Sequence, residues 1–379
     1  MHIAFLTPEY PRPELSRSGG LGTSIKNLAM GLVKSGIKVS VFVIGQSRNV
    51  NYDDSGIKVI SLAKKKHITF NWYFERKRIQ KIINQYVKTE GIQLIEAPDW
   101  TGVSAFMKFN VPLIIRLNGS DGFFCHLDGR SQKKKNYFLE HKALTNADAI
   151  VSVSTFTGKL TKQVFKLKHD IKTIHNSIDI DAFKPIDVEI YEDQLLYFGT
   201  IIRKKGILEL AEAFNLVVEK VPKSKLLLIG KDAIDVFEKT STVRLFFDKL
   251  SSKAKANVTY LTEVPYHEIK KHIAEAQIIV LPSFAEAFPM TWLETLALEK
   301  PLVSSNIGWA NELMVNNSTG FTVDPKNHEA FASKIIELLE NSDLCKAFGK
   351  AGRLRVIEKF SAQKITNQNI EFYKSVINR

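Results

Sequence analysis

Short β-branched apolar runs alternate along this chain with longer segments in which apolar residues recur at helical spacing. In the first half the runs fall at 3–7, 38–43, 58–62, 93–96, 113–117, 149–153 and 171–174. Several are nearly continuous in hydrophobic residues, as expected of strands buried on both faces of a parallel sheet. Helical periodicity lies between them, at 22–35, 101–109 and 137–145 for example. The pattern breaks at Lys184-Pro185-Ile186-Asp187 and then resumes. The second series has runs at 195–198, 226–229, 258–261, 278–281 and 302–304, with helical segments at 207–219, 267–275 and 290–298. Three more helical segments follow, at 330–339, 343–359 and 362–377. This strand–helix alternation predicts two doubly wound α/β domains, 1–187 and 188–361, joined near 184–193. The helix at about 362–379 is expected to be able to pack back on the first domain.

Two such domains place their chemistry in the loops that follow the strands, where open α/β sheets bind ligands. Those loops are therefore the ones to read. With 44% hydrophobic and 25% charged residues the chain is neither disordered nor fibrous. No apolar run approaches the roughly 20 residues needed to span a bilayer. The first residues run directly into a strand, with no basic flank or cleavage site, so no signal peptide is expected and the location is read as cytoplasmic. Cys125 and Cys345 have no companions at metal-ligand spacing and read as ordinary thiols.

Three loops carry candidate chemistry. Arg17-Ser18-Gly19-Gly20-Leu21-Gly22-Thr23 follows the first strand and opens a helix. Its glycines let the backbone approach an anion at the helix N-terminus, although plain turn glycines would look the same. It is not the dinucleotide fingerprint, because the third glycine position is occupied by Ile25. Gly199-Thr200-Ile201-Ile202-Arg203-Lys204-Lys205-Gly206 puts three cations at the mouth of another helix, where they oppose the macrodipole unless an anion comes between. A diphosphate pocket and a solvated basic turn both fit. The third loop, from Pro282 to Glu294, holds two glutamates, Glu286 and Glu294. If helical throughout, that spacing would be about 12 Å along the axis, room for a diphosphate between a sugar and a ribose. Asp179-Ile180-Asp181 has the form of a metal-binding D-x-D but falls in the interdomain stretch, and no H-E-x-x-H cluster accompanies it. No catalytic metal and no cofactor are expected.

Several ordered elements together resemble the retaining glycosyltransferases of family 4, also called glycosyl transferases group 1, which have the GT-B fold. They are Lys205-Gly206, Leu281-Pro282-Ser283 before the Glu286 to Glu294 pair, and Asn176-Ser177-Ile178-Asp179 leading to Phe183-Lys184-Pro185. Gly308-Trp309-Ala310-Asn311-Glu312 and Thr319-Gly320-Phe321-Thr322-Val323-Asp324-Pro325 complete the set. The resemblance covers essentially the whole chain. The loop at Gly19-Gly20-Leu21-Gly22 is similar to that of glycogen and starch synthases, with Arg17 at their lysine position. The resemblance implies two Rossmann-like domains facing across a cleft, the first receiving the acceptor and the second the nucleotide-sugar donor. It implies that Lys205, helped by Arg203, holds the donor diphosphate and that Glu286 contacts the donor sugar. Backbone groups around Phe288, Pro289, Met290 and Thr291 would meet sugar and phosphate, and Glu294 the ribose. Gly19 and Gly20 would close on the diphosphate. Configuration would be retained without a protein nucleophile, the departing phosphate helping to deprotonate the acceptor. Three positions depart from the family: Thr200 where arginine is frequent, Pro289 where glycine is frequent, and Asn118 where histidine is frequent. Asn118 can hydrogen-bond a hydroxyl but cannot act as a general base. His126 nearby reads as a loop histidine.

Charge adds a question about partners. Residues 1–187 carry 28 Lys+Arg against 16 Asp+Glu, and 188–379 carry 25 against 24, so the first half holds nearly all of the net +13. An anionic acceptor or an anionic lipid surface at the inner face of a membrane would explain it. The segment from Phe70 through Trp72, Tyr73 and Phe74 to Arg76-Lys77-Arg78 supports two readings. One is a helix lying on such a surface, the other a sheet-covering helix with Phe74, Ile79, Ile82, Ile83 and Tyr86 inward. Lys133-Lys134-Lys135 adds to the basic patch. The expected activity is transfer of a sugar to a glycan or lipid-linked acceptor in polysaccharide or glycoconjugate synthesis. A non-catalytic sugar-nucleotide-binding subunit and a sugar-nucleotide epimerase are the rivals. The charge admits nucleic acid, but no recognition motif supports it.

Overall fold

The computed structural model describes residues 1–379 except Arg17, His67 and His169, and except the side chain of Tyr266. It forms two compact units, Met1–Ser177 with Ala362–Arg379, and Ile178–Ser361. The first is built on eight strands: β1 (His2–Thr7), β2 (Lys38–Gln46), β3 (Val50–Asp54), β4 (Ile57–Ala63), β5 (Leu94–Pro98), β6 (Leu113–Leu117), β7 (Ala149–Ser152) and β8 (Ile171–Thr173). Their order is β3-β4-β2-β1-β5-β6-β7-β8. Every pairing is parallel except β3 with β4. The antiparallel edge escapes the sequence pattern because Val50-Asn51-Tyr52-Asp53-Asp54 is polar and only partly covered.

Successive strand residues serve opposite faces. Ile3 and Phe5 of β1 join one core with Val39, Val41 and Val43 of β2. Ala4 and Leu6 join the other with Phe42 and Ile95. The helix Gly20–Lys34 and the helix Ala362–Ile377 cover the first face. They approach so closely at Gly31 that a Cβ there would lie 2.1 Å from the Thr366 hydroxyl. The last helix is also tied down by polar groups. Arg116 of β6 donates to both oxygens of Glu96 on β5, at 2.7 and 2.9 Å, and to Asn369 Oδ1 at 2.5 Å. The Tyr373 hydroxyl donates to Glu96 at 2.7 Å. All four side chains are buried.

On the other face the helix Asn71–Glu90 buries Ile79 and Ile83, with Ile82 and Tyr86 partly covered, but leaves Phe74 45% exposed. The sheet-covering reading therefore holds for four of its five residues and fails at Phe74. The expected helix at 101–109 does not form. Thr101 and Phe106 adopt left-handed φ of 53° and 65°, which end helical propagation. Gly102, at φ 57°, admits the backbone of Leu139, whose carbonyl oxygen would sit 2.3 Å from a Cβ.

The second unit holds β9 (Tyr191–Phe198), β10 (Lys225–Ile229), β11 (Val258–Leu261), β12 (Ala276–Leu281), β13 (Leu302–Ser305) and β14 (Phe321–Val323). All pair in parallel, in the order β11-β10-β9-β12-β13-β14. Residues 178–187 belong to this unit, so the division lies earlier than 187/188. The Ile178 N–H donates to Phe360 O at 3.0 Å, and Arg353 donates to the carbonyls of Phe183 and Ile180. Pro185 interrupts the local pattern, but these tertiary bonds decide to which unit the stretch belongs.

Candidate active site

In the second sheet β9 and β12 are neighbours, yet the chain reaches β10 and β11 on one side before returning to β12 on the other. That reversal parts the loops after β9 and β12, the place where such sheets take ligands. The β9 loop runs through Gly199 to the tight turn Arg203–Lys205 and the helix Ile207–Lys220. Gly206, at φ 70°, lies so close to the β12 loop that a Cβ would stand 1.9 Å from the Pro282 carbonyl oxygen. The Phe284 N–H donates to Lys204 O at 2.8 Å, fastening the two loops together. Between them Lys205 Nζ forms an ion pair with Glu286 Oε1. Glu286 is 8% exposed and the Lys205 side chain 22%. Beneath them Tyr197 is fully buried and donates to Thr200 O at 3.0 Å. Burial, then the charge of Glu286, raises its hydroxyl pKa, which keeps it a neutral donor.

Lys205 and Glu286, 81 residues apart, are thus in direct contact. Arg203 is placed differently from expectation. Its guanidinium is held by Asp235 at 2.7 and 3.1 Å and lies 5.2 Å from the Phe237 ring centroid. Burial works to raise the Asp235 carboxyl pKa, but Arg203 and the N–H groups of Glu238 and Phe237 hold it below the usual value. Arg203 is therefore not a spare cation for a diphosphate. Nothing in the local sequence signals Asp235 as its partner.

The 12 Å rise from Glu286 to Glu294 does not apply, because 282–289 is irregular and the helix is Met290–Ala297. Glu294 lies within that helix and is buried. The Phe288 ring is buried, 5.4 Å from that of Phe360 and tilted 60° to it. Pro289 is the N-cap and has no N–H to offer. Met290 and Thr291 open the helix, which has no acidic residue in its first turn. Their N–H groups lack intrahelical acceptors and carry the positive end of the macrodipole.

In the first unit the Gly19 N–H, expected to face a phosphate, donates to Glu9 Oε1 at 3.1 Å. The Gly22 N–H donates to the same oxygen at 2.8 Å. A carboxylate at a helix N-terminus satisfies its unpaired donors, and sequence reading missed it. Gly20 begins the helix with open space at its Cα, and Arg17 lies outside the described residues. Asn118 follows β6; its N–H donates to Asp99 Oδ1 at 3.0 Å and its amide to Arg116 O at 3.3 Å. Asp99 was also missed. It follows β5, the neighbour of β1 at the first sheet's own reversal point. It is fully buried and its Oδ2 has no hydrogen-bond partner. Burial pushes the carboxyl up to about 8, the nearby Glu140 adding to the shift. His126 is exposed on the helix Asp121–Leu127. In the D-x-D stretch, Asp179 Oδ1 accepts the N–H groups of Asp181 and Ala182 and so holds a turn.

Residues 183–355 match the family described as glycosyl transferases group 1, and residues 18–182 match glycosyltransferase family 4. An uncharacterized glycosyltransferase of Methanocaldococcus jannaschii is 24% identical over 99% of this chain and 98% of its own length. The capsular polysaccharide biosynthesis glycosyltransferase CapM of Staphylococcus aureus is 30% identical over 48% of this chain and 46% of its own. Among solved structures, HepE of Anabaena in complex with UDP has the same fold. It superposes with a TM-score of 0.74 at 18% identity, covering 99% of this chain and 100% of that one. With its two parallel-sheet α/β units and its matches across 18–355, the chain belongs to the group 1, family 4 glycosyltransferases of the GT-B fold.

Proposed function

We propose that this glycosyltransferase takes a sugar from a nucleoside diphosphate sugar and passes it, with retained configuration, to a glycan or lipid-linked acceptor. The observation that carries the reading is the Lys205–Glu286 ion pair between the loops at the second sheet's reversal point. An ammonium and a carboxylate that neutralise each other can separate onto opposite parts of one ligand. Lys205 would turn to the diphosphate, and Glu286, released, would accept hydroxyls of the sugar. The N–H groups of Met290 and Thr291 would receive the diphosphate oxygens at the helix N-terminus. Glu294 would take the ribose hydroxyls. Charge develops on the leaving diphosphate in the transition state, so the ammonium and the aligned N–H dipoles lower the barrier where it matters. The leaving phosphate takes the acceptor proton, and Asn118 is assigned to hydrogen-bond an acceptor hydroxyl. No step needs a metal.

HepE was solved with UDP, which supports a uridine nucleotide as the first donor to try. The name of CapM supports a role in cell-surface polysaccharide synthesis. The test is a screen of nucleotide sugars for nucleoside diphosphate release, with and without a pool of glycan and lipid-linked acceptors. Release that depends on an acceptor, with the first product in the donor's anomeric form, is the expected result. Binding with no turnover on any acceptor, or consumption of donor without acceptor to give a new sugar, would overturn it.

A further inference from the structure

We infer that the first unit carries a docking face for an anionic lipid surface, centred on the first turn of the helix Asn71–Glu90. The helix begins at Phe70, whose left-handed φ of 43° turns its ring out to 70% exposure. Phe74 and Phe138 are 45% and 53% exposed, and Ile68 is fully exposed. Phe74 and Phe138 are joined by a chain of ring contacts. Ring centroids lie 5.6 Å apart for Phe74 and Tyr73, 5.7 Å for Tyr73 and Phe106, and 5.8 Å for Phe106 and Phe138. One aromatic cluster therefore reaches from the helix start to the helix Lys134–Thr145 and opens to solvent at both ends. Ile79 and Ile83 fill the sheet-facing side of the helix, and Trp72 and Phe106 pack on the buried Ala105, Leu139 and Ala143, but Phe70, Phe74 and Phe138 stay exposed beyond that cover.

Charge identifies the occupant. Lys64, Lys65 and Lys66 are exposed just before Phe70, and Lys133, Lys134 and Lys135 just before Phe138. Lys135 Nζ lies 5.9 Å from the Trp72 ring centroid, which joins the second lysine run to the same cluster. The neighbouring acid Glu75 is paired with Arg78 at 2.7 Å. Aromatic residues ringed by ammonium groups match an interface of acyl chains and anionic head groups. A second copy of the chain would bring the same lysines against these. Among the described residues no helix is long and apolar enough to cross a membrane, so this contact lies on the surface.

The test needs no nucleotide, so its outcome is separate from that of the donor chemistry. The full chain is floated with vesicles of phosphatidylcholine alone and of phosphatidylcholine with an equal part of phosphatidylglycerol. Binding is expected only to the second, and should weaken as salt rises. The triple variant Phe70→Asn, Phe74→Ser, Phe138→Ser should lose on the order of tenfold or more in partitioning. Asn is chosen at 70 because it tolerates the left-handed backbone. Lys133→Gln, Lys134→Gln, Lys135→Gln together should also lose on the order of tenfold. Unchanged thermal melting shows that these surface variants fold, and Phe74→Ser alone stands in if the triple does not. No binding to anionic vesicles, or undiminished binding by the aromatic variants, overturns the inference. So does self-association in sedimentation velocity that the aromatic variants abolish, which would assign the face to a second copy.

Discussion

Lys205 and Glu286 neutralise one another, so removing either has two effects: it deletes a proposed ligand contact and frees the other group's charge. Lys205→Ala should weaken donor nucleotide binding by about 1.5–3 kcal/mol, the value of a charge-assisted hydrogen bond. Glu286→Gln should lower turnover more than nucleotide affinity, because the proposed partner of Glu286 is the sugar. Titration calorimetry with the nucleoside diphosphate, set beside steady-state rates, separates the two. If Glu286→Gln costs nucleotide affinity instead, its assignment is reversed with that of Glu294. Asp99 gives a residue-scale prediction about pH. Its carboxyl is pushed up to about 8 in the folded chain, above its unfolded value. The folded state thus holds a proton that the unfolded state releases, and this contribution is lost as pH rises through that window. Wild type should lose stability from about pH 5 to 8, by at most about 1.4 kcal/mol per pH unit. Asp99→Asn should lack that component, so its urea midpoint relative to wild type should climb with pH and level off above about 8. A flat difference would mean that Asp99 is ionised.

At the scale of elements, the helix Ala362–Ile377 is held on its sheet by a cluster around Arg116. Tyr373→Phe takes one donor from Glu96 and should cost about 1–2 kcal/mol. Arg116→Met leaves a buried carboxylate without its cation and should cost about 3–5 kcal/mol. Urea unfolding measures both, and equal small losses would show that water enters the cluster. The strands were readable in advance because runs such as Ile3–Ala4–Phe5–Leu6 are apolar on both faces, which few other elements allow. The stretch after Trp100 was not. Its apolar spacing suits a helix, but Thr101 and Phe106 turn left-handed and the Leu139 backbone packs on Gly102. The site divides in the same way. Lys205 and Glu286 sit in loops that follow apolar strands, and Gly199 and Gly206 mark the first of them. Glu9, Asp99 and Asp235 matter through partners remote in sequence or hidden in the fold, and a lone acidic residue in a loop gives no such sign.

For the molecule as a whole, Lys205 as the proposed counter-charge of the diphosphate predicts that EDTA leaves the rate within about twofold, since that cation can do electrostatically what a divalent ion does elsewhere. Loss of activity in EDTA, restored by magnesium or manganese, would contradict it. The path of the chain has a consequence of its own. Because Ala362–Arg379 belongs with Met1–Ser177, the second unit is an insertion within the first. A polypeptide leaving the ribosome has every residue of 178–361 before it has Asn369 and Tyr373, the partners that Arg116 and Glu96 need. The unit encoded second can therefore finish folding first. A fragment of 178–361 should melt cooperatively on its own, whereas 1–177 should bind hydrophobic dyes and regain a cooperative transition when a peptide of 362–379 is supplied. Truncation from either terminus then damages the same unit, and 178–361 is the part that survives excision.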